Sequence, residues 1–160
     1  LDVGREKIQK KDLAKRVVLK KGDAENLEFD SNSFDIISIG YGVRNFENLE
    51  KGLKESFRVL SAKGKLIILE TSVPSNPLFR YIFNIYTKVF ISLISSIFSK
   101  NPKAYTYLEK SAKNFPSGDN FAKILLKSGF KNVKIEPKLF GASTIYIATK
   151  WFNPFYILNH

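Results

Sequence analysis

The sequence has no cysteine and no methionine, and its one histidine is the last residue, His160. Without cysteine there is no disulfide framework, no thiolate nucleophile and no zinc–cysteine site. With the one imidazole at the end of the chain, a histidine general base, a Ser-His-Asp triad and a histidine metal cluster are all set aside. A metal would have to rest on carboxylates alone, and none are paired at a suggestive spacing, so no metal site is expected. Leu1 leads a chain that lacks methionine throughout, which reads as a fragment or a processed product. Leu1–Asp12 is charged throughout and has no apolar stretch, so nothing there resembles a signal peptide. Internal repeats and low-complexity segments are missing too.

What is present suits one domain with a real core: 160 residues with globular hydrophobic and charged fractions. The net charge of +11 is spread as lysines over every segment. Such scatter is the pattern of a solvated surface. Attraction to an anionic membrane surface is the main alternative. Nucleic-acid binding would rest on charge alone and is not expected; it would weaken steeply with salt.

Leu1–Leu13 spaces Leu1, Ile8 and Leu13 among charges and reads as a helix. Its LDVG start looks like a glycine-rich ligand turn, but Arg5-Glu6-Lys7 follow. Three long side chains there would keep backbone away from a ligand. Arg16–Lys20 (RVVLK) is β-branched and reads as a strand, with Gly22-Asp23-Ala24 turning after it. Asp30–Ser33 is a polar turn. Phe34–Gly40 (FDIISIG) is nearly continuous in apolar residues, as in a strand covered on both faces. Asn48–Leu60 is an amphipathic helix with Leu49, Leu53, Phe57 and Leu60 on one face. Ser61–Gly64 turns into the strand Lys65–Glu70. This β-loop-β-α-β rhythm is that of a parallel α/β sheet.

Residues 78–98 form the most hydrophobic stretch, interrupted by Arg80, Asn84 and Lys88. A membrane span needs roughly 20 mainly apolar residues, so this one is not expected to cross. A helical layer on the sheet and a lid over a greasy substrate, touching lipid, both suit it. Tyr105, Tyr107, Leu108, Ser111 and Phe115 then spell an aromatic helical segment. Gly118–Ser128 is a helix with Phe121, Ile124 and Leu125 inward, and Gly129 ends it with Phe130 as the apolar contact. Asn132–Glu136 and Ser143–Thr149 are strands of an antiparallel pair at the sheet edge. Trp151–His160 is an aromatic tail.

The stretch Gly22–Asn45 organises the chain, because two successive strands would each deliver a polar loop at the carboxyl edge. Open α/β sheets hold small ligands there. Three runs carry a narrower likeness: GDAENLEF at Gly22–Phe29, SFDIISIGYGVRNF at Ser33–Phe46, and FRVL followed by GKLIILE at Phe57–Glu70. The spaced tyrosines and GAST before the last strand add to it. Together they resemble the S-adenosylmethionine-dependent C-methyltransferases of menaquinone and ubiquinone biosynthesis, over residues 1 to about 150.

This resemblance implies a Rossmann-like class I methyltransferase sheet with flanking helices, incomplete at its N-terminal strands. Residues 1–150 would be the C-terminal two-thirds of the domain, 78–116 its helical substrate region and 151–160 a tail. It also implies S-adenosylmethionine as cofactor and methylation of a polyprenyl quinol, demethylmenaquinol or the ubiquinone-pathway equivalent. A cytoplasmic enzyme, with peripheral contact at the inner face of the membrane, would follow. By the same resemblance Asp23 accepts from the adenine amine and Ala24 backbone serves the ring. An Asx turn or helix cap is the plainer role for Asp23. Gly40 and Tyr41 would line the methionine end, and Gly42, Tyr105, Tyr107 and Phe115 the substrate. Arg44 and Asn45 would act at the reacting centre, Arg44 by stabilising a phenolate. The alternative for Arg44 is an ion pair with Glu47 or Glu70.

The glycine-rich loop and ribose-binding acid of such enzymes are not found here, nor is the usual Lys-Pro-Gly-Gly, replaced by Ser61-Ala62-Lys63-Gly64. Two central strands would then be missing between Arg16–Lys20 and Phe34–Gly40. Orphaned backbone groups cost about 1–3 kcal/mol each, so the chain alone is expected to bind cofactor poorly and to aggregate or borrow strands from a second copy. The competing reading is a non-catalytic relative that serves as a membrane- or partner-binding module.

Overall fold

The computed structural model describes residues 1–85, 111 and 114–151. After helix α1 (Asp2–Lys10) come strand β1 (Phe34–Gly40), helix α2 (Leu49–Val59) and strand β2 (Leu60–Thr71). Helix α3 (Asp119–Lys127) and strands β3 (Asn132–Lys138) and β4 (Ser143–Thr149) follow. The sheet runs β1-β2-β4-β3, with β1 parallel to β2 and β4 antiparallel to both β2 and β3. β2 is one of the two interior strands, and the alternating burial of Leu66, Ile68 and Glu70 marks its core-facing side.

α2 starts where Asn48 accepts a hydrogen bond from the Lys51 amide at 3.0 Å, an N-cap that satisfies one orphan donor. Its apolar stripe meets the core: Leu53, Val59 and Leu60 are fully buried, with Leu49 and Phe57 packed against them. α3 buries Phe121 and Leu125, and Phe121 lies between the rings of Phe115 and Tyr146, 4.9 and 4.8 Å away. Gly129, at φ 110°, ends α3 in a backbone conformation that L side chains rarely adopt. Phe130 is buried beside it, edge-on to Phe57 at 5.2 Å.

Several expectations are corrected. Arg16–Lys20 is not a strand: the Arg16 and Val17 amides return to the Leu13 carbonyl at 2.9 Å, and Val18 is 89% exposed. β-branched composition makes a strand only where a ladder partner exists, and this run has none among the described residues. β1 is not covered on both faces; it pairs only with β2 among the described residues, and Ile36 is 62% exposed. The Ser61–Gly64 turn is absorbed into β2, whose register against β1 shifts between Phe34 and Ile36. A Cβ at Gly64 would sit 2.6 Å from Leu60 Cγ and 3.0 Å from the Asp35 carbonyl, so glycine permits this close approach. Residues 77–85 are helical; the rest of the 78–98 stretch lies outside the described residues. Among the described residues no helix is long and apolar enough to cross a membrane.

Candidate functional site

The carboxyl edge of the parallel pair β1–β2 builds the first cluster. β1 ends at Gly40, and Tyr41, at φ 52°, still donates its amide to the Leu69 carbonyl at 2.8 Å. Gly42 leads into a short 3-10 turn, Val43–Asn45, anchored by the buried Val43. That turn points Arg44 inward, where Nη1 pairs with Glu70 Oε1 from the end of β2. The Arg44 side chain is 9% exposed and that of Glu70 0%. The same Glu70 oxygen accepts from the Thr71 amide at 2.8 Å and the Thr71 hydroxyl at 3.1 Å. Glu70 Oε2 and Arg44 Nε are buried and have no hydrogen-bond partner among the described residues. Buried polar atoms are seldom left this way, and such orphans mark places of interest. Tyr41 covers the pair, its ring 5.9 Å from the guanidinium carbon and its hydroxyl 3.3 Å from Ser143 Oγ.

A cleft of about 460 Å³ forms the second cluster, lined by Gly22, Asp23, Ala24, Glu25, Asn45, Phe46, Glu47 and Lys51. It brings together Asp23 and Ala24 from one loop and Asn45 from the next. Asp23 Oδ1 accepts from the Glu25 amide at 2.9 Å, an Asx turn, and the Asn26 amide reaches the Asp23 carbonyl at 3.2 Å. The plainer role for Asp23 is therefore real, but a carboxylate has about four acceptor positions and one bond does not saturate it. Glu25 Oε1 accepts from the Asn48 amide at 2.8 Å and ties the loop to the start of α2.

The sequence-derived residues divide between these clusters. Asp23, Ala24 and Asn45 share the cleft; Gly40, Tyr41, Gly42 and Arg44 form the strand-end cluster around Glu70. Phe115 is in the core against Phe121. Tyr105 and Tyr107 lie outside the described residues. Sequence reasoning passed over Glu25, Glu47 and Lys51 as cleft residues; acidic side chains beside a ligand turn were the available signal. It also passed over Arg58, whose partner Glu55 stands three residues earlier on the same helix.

Glu55 is held below the usual carboxylate value, chiefly by its hydrogen bond to Arg58, and Arg58 is raised in return. A carboxylate depressed on folding contributes stability above its unfolded value and loses it as pH falls through the folded one. Acidification below the ordinary carboxylate range is therefore expected to lower the urea midpoint, and Glu55→Gln to flatten that dependence. Parallel pH curves for the two proteins would contradict this.

A demethylmenaquinone methyltransferase of Bacteroides fragilis is 39% identical over 150 residues, 94% of this chain and 61% of its own length. One from Chlorobaculum parvum is 42% identical over 130 residues, 81% of this chain and 54% of its own. The chain thus spans little more than half to three-fifths of those relatives. Among solved structures, a putative S-adenosyl-L-methionine-dependent methyltransferase of Methanococcus maripaludis superposes at a TM-score of 0.61, with 21% identity, 95% of this chain and 63% of that one. A SAM-dependent methyltransferase of Aquifex aeolicus gives 0.60, with 15% identity, 92% of this chain and 62% of that one. At those identities the structures establish the fold, which is that of the class I methyltransferases. Residues 1–150 match the ubiE/COQ5 methyltransferase family, and the chain belongs to it.

Proposed function

We propose that the chain acts in S-adenosylmethionine-dependent C-methylation of a polyprenyl naphthoquinol, a reading that its relatives named demethylmenaquinone methyltransferase support. The observation that carries this reading is the shared cleft of Asp23, Ala24 and Asn45. Its donor set fits the adenosyl half of the cofactor: an exposed carboxylate for an amino donor, backbone at Ala24, and acidic neighbours Glu25 and Glu47 suited to a cationic ligand. When bound, S-adenosylmethionine supplies an electrophilic methyl group on a sulfonium centre.

The remaining work belongs to the chain's own side chains. Asp23 and Ala24 bind and orient the adenine, while Gly40 and Tyr41 border the opposite end of the cofactor. Methylation at a ring carbon needs electron density from a quinol oxygen, and a cation beside that oxygen stabilises the phenolate. Arg44 is the candidate. Glu70 balances part of its charge, and its Nε–H, without a hydrogen-bond partner among the described residues, would have to be uncovered to meet the quinol oxygen, where a hydrogen bond to an anion is strong. Asn45 and Gly42 flank Arg44 on the same turn and help to place the ring.

A polyprenyl tail resides in lipid, so the reading includes peripheral contact with a bilayer. Leu78, Tyr81, Ile82 and Ile85 expose one i, i+3, i+4, i+7 face of the 77–85 helix. Phe79 stacks on Phe140 at 4.8 Å, and Leu139 and Phe140, both at positive φ, are 72% and 77% exposed. The test uses anionic liposomes loaded with a demethylated naphthoquinol and methyl-labelled cofactor. With cofactor raised far enough to offset the poor binding expected of the chain alone, label is expected in the quinol, and Phe140→Ser is expected to lower the liposome-bound fraction without changing the fold. Unlabelled quinol would contradict the catalytic reading, and indifference to Phe140→Ser the lipid contact.

A further inference from the structure

The loop that carries Asp23 has almost no regular structure; between Gly22 and Phe29 only the Asp23–Asn26 bridge is ordered as such. Fixing such backbone costs roughly 1–2 kcal/mol per residue, so a ligand meeting a loose loop would bind weakly unless something else holds it. The loop's Leu27–Phe29 end is held by an ion pair of α2. Arg58 donates Nη2 to the Leu27 carbonyl at 2.9 Å and Nη1 to the Phe29 carbonyl at 2.8 Å. On its other edge it meets Glu55 twice, Nε to Oε1 at 2.8 Å and Nη2 to Oε2 at 2.9 Å. Glu55 Oε2 in turn accepts from the Leu27 amide at 3.0 Å. Both peptide groups of Leu27 are thus taken by one ion pair from a helix 28 and 31 residues further along.

We infer that Arg58, oriented by Glu55, is the positioning residue of the proposed cofactor site: it clamps the Leu27–Phe29 end of the loop so that Asp23 and Ala24 face the cleft already formed. The other end is fastened by Glu25 to the Asn48 amide, at the start of the same helix. α2 is therefore the frame for the whole loop, and Asn45 lies on the turn that leads into it. The chemistry requires arginine. A planar fork can bridge two carbonyls and a carboxylate at once, whereas a lysine ammonium is a single point that cannot span them. The Arg58–Glu55 pair, 36% and 20% exposed, adds only the modest increment to folding stability that its pH dependence reads, and that increment does not account for bonds aimed at two loop carbonyls.

The inference rests on the reading of the Asp23 cleft as the adenosyl site, so the experiment separates the two. Hydrogen exchange of peptides covering residues 22–30 is measured on the full chain and its Arg58→Lys variant, with NMR titration of S-adenosylmethionine, which reaches millimolar affinities. Arg58→Lys is expected to speed exchange in that segment and weaken cofactor binding by about tenfold, the worth of a charge-assisted hydrogen bond. In an Asp23→Ala background the same substitution is expected to cost little more, because the clamp acts through Asp23. A merely structural role would give additive losses, which would overturn the inference. Unchanged exchange in Arg58→Lys would overturn it as well, while leaving the cleft assignment standing. Faster exchange in Arg58→Lys, with the wild-type 22–25 resonances ignoring the cofactor, would overturn the cleft reading, and the inference with it.

Discussion

Replacing Glu70 with alanine is expected to lower the stability of the fold by about 3–5 kcal/mol, the usual cost of stripping one partner from a buried ion pair. Glu70 has no exposed surface and sits on an interior strand, between β1 and β4. Its removal leaves the Arg44 guanidinium in a dry environment without a counter-charge. It also strands the Thr71 amide and hydroxyl, which bond to the same oxygen. Against a typical net stability of about 5–15 kcal/mol this is a large fraction, and partial unfolding at room temperature is a realistic result. Arg44→Ala is expected to cost a similar amount for the mirror-image reason, and the double variant less than the sum of the two. Urea denaturation of the three proteins checks this; a loss under about 1 kcal/mol for Glu70→Ala would mean that the pair is not buried as described. The stability loss also sets the condition for a catalytic test of Arg44. A fall in turnover counts toward chemistry only where the folded fraction is known, and cofactor affinity is expected to survive it.

The pair illustrates what the sequence made legible and what it did not. The Gly-Tyr-Gly-Val-Arg-Asn run ends a strand, as its apolar residues and glycines suggest, and both candidate partners of Arg44 were visible in the text. Choosing Glu70 over Glu47 required the register of β1 against β2, a long-range property that no local pattern carries. α2, α3 and the glycine stop at Gly129 were readable because caps and helical periodicity are local. Arg16–Lys20 misled because its β-branched residues are a preference that needs a neighbouring strand, and β1 misled because apolar composition does not reveal how many neighbours a strand has. The cleft at Asp23 was placed by its turn residues, yet the Arg58–Glu55 clamp stayed hidden. An i, i+3 pair on a helix looks like ordinary surface charge until the carbonyls of a distant loop are seen beside it.

Asp23→Ala is expected to weaken binding of S-adenosylmethionine by roughly 10- to 100-fold, equivalent to losing about 1.5–3 kcal/mol from a hydrogen bond to a charged group. The expected loss is large because the carboxylate has two tasks. It accepts the Glu25 amide that closes the Asx turn, and it presents acceptor oxygens to the cleft that Ala24 and Asn45 also line. Asp23→Asn keeps a side-chain acceptor for the turn and removes the charge, so it is expected to fall between wild type and alanine. The most direct measurement is therefore an NMR titration of the wild-type chain and Asp23→Ala with S-adenosylmethionine, read at the amides of residues 22–25 and 45. Saturable shifts centred on those residues, weakened at least tenfold by the substitution, are the expected result; shifts that lie elsewhere on the chain, or that Asp23→Ala leaves untouched, would contradict the account.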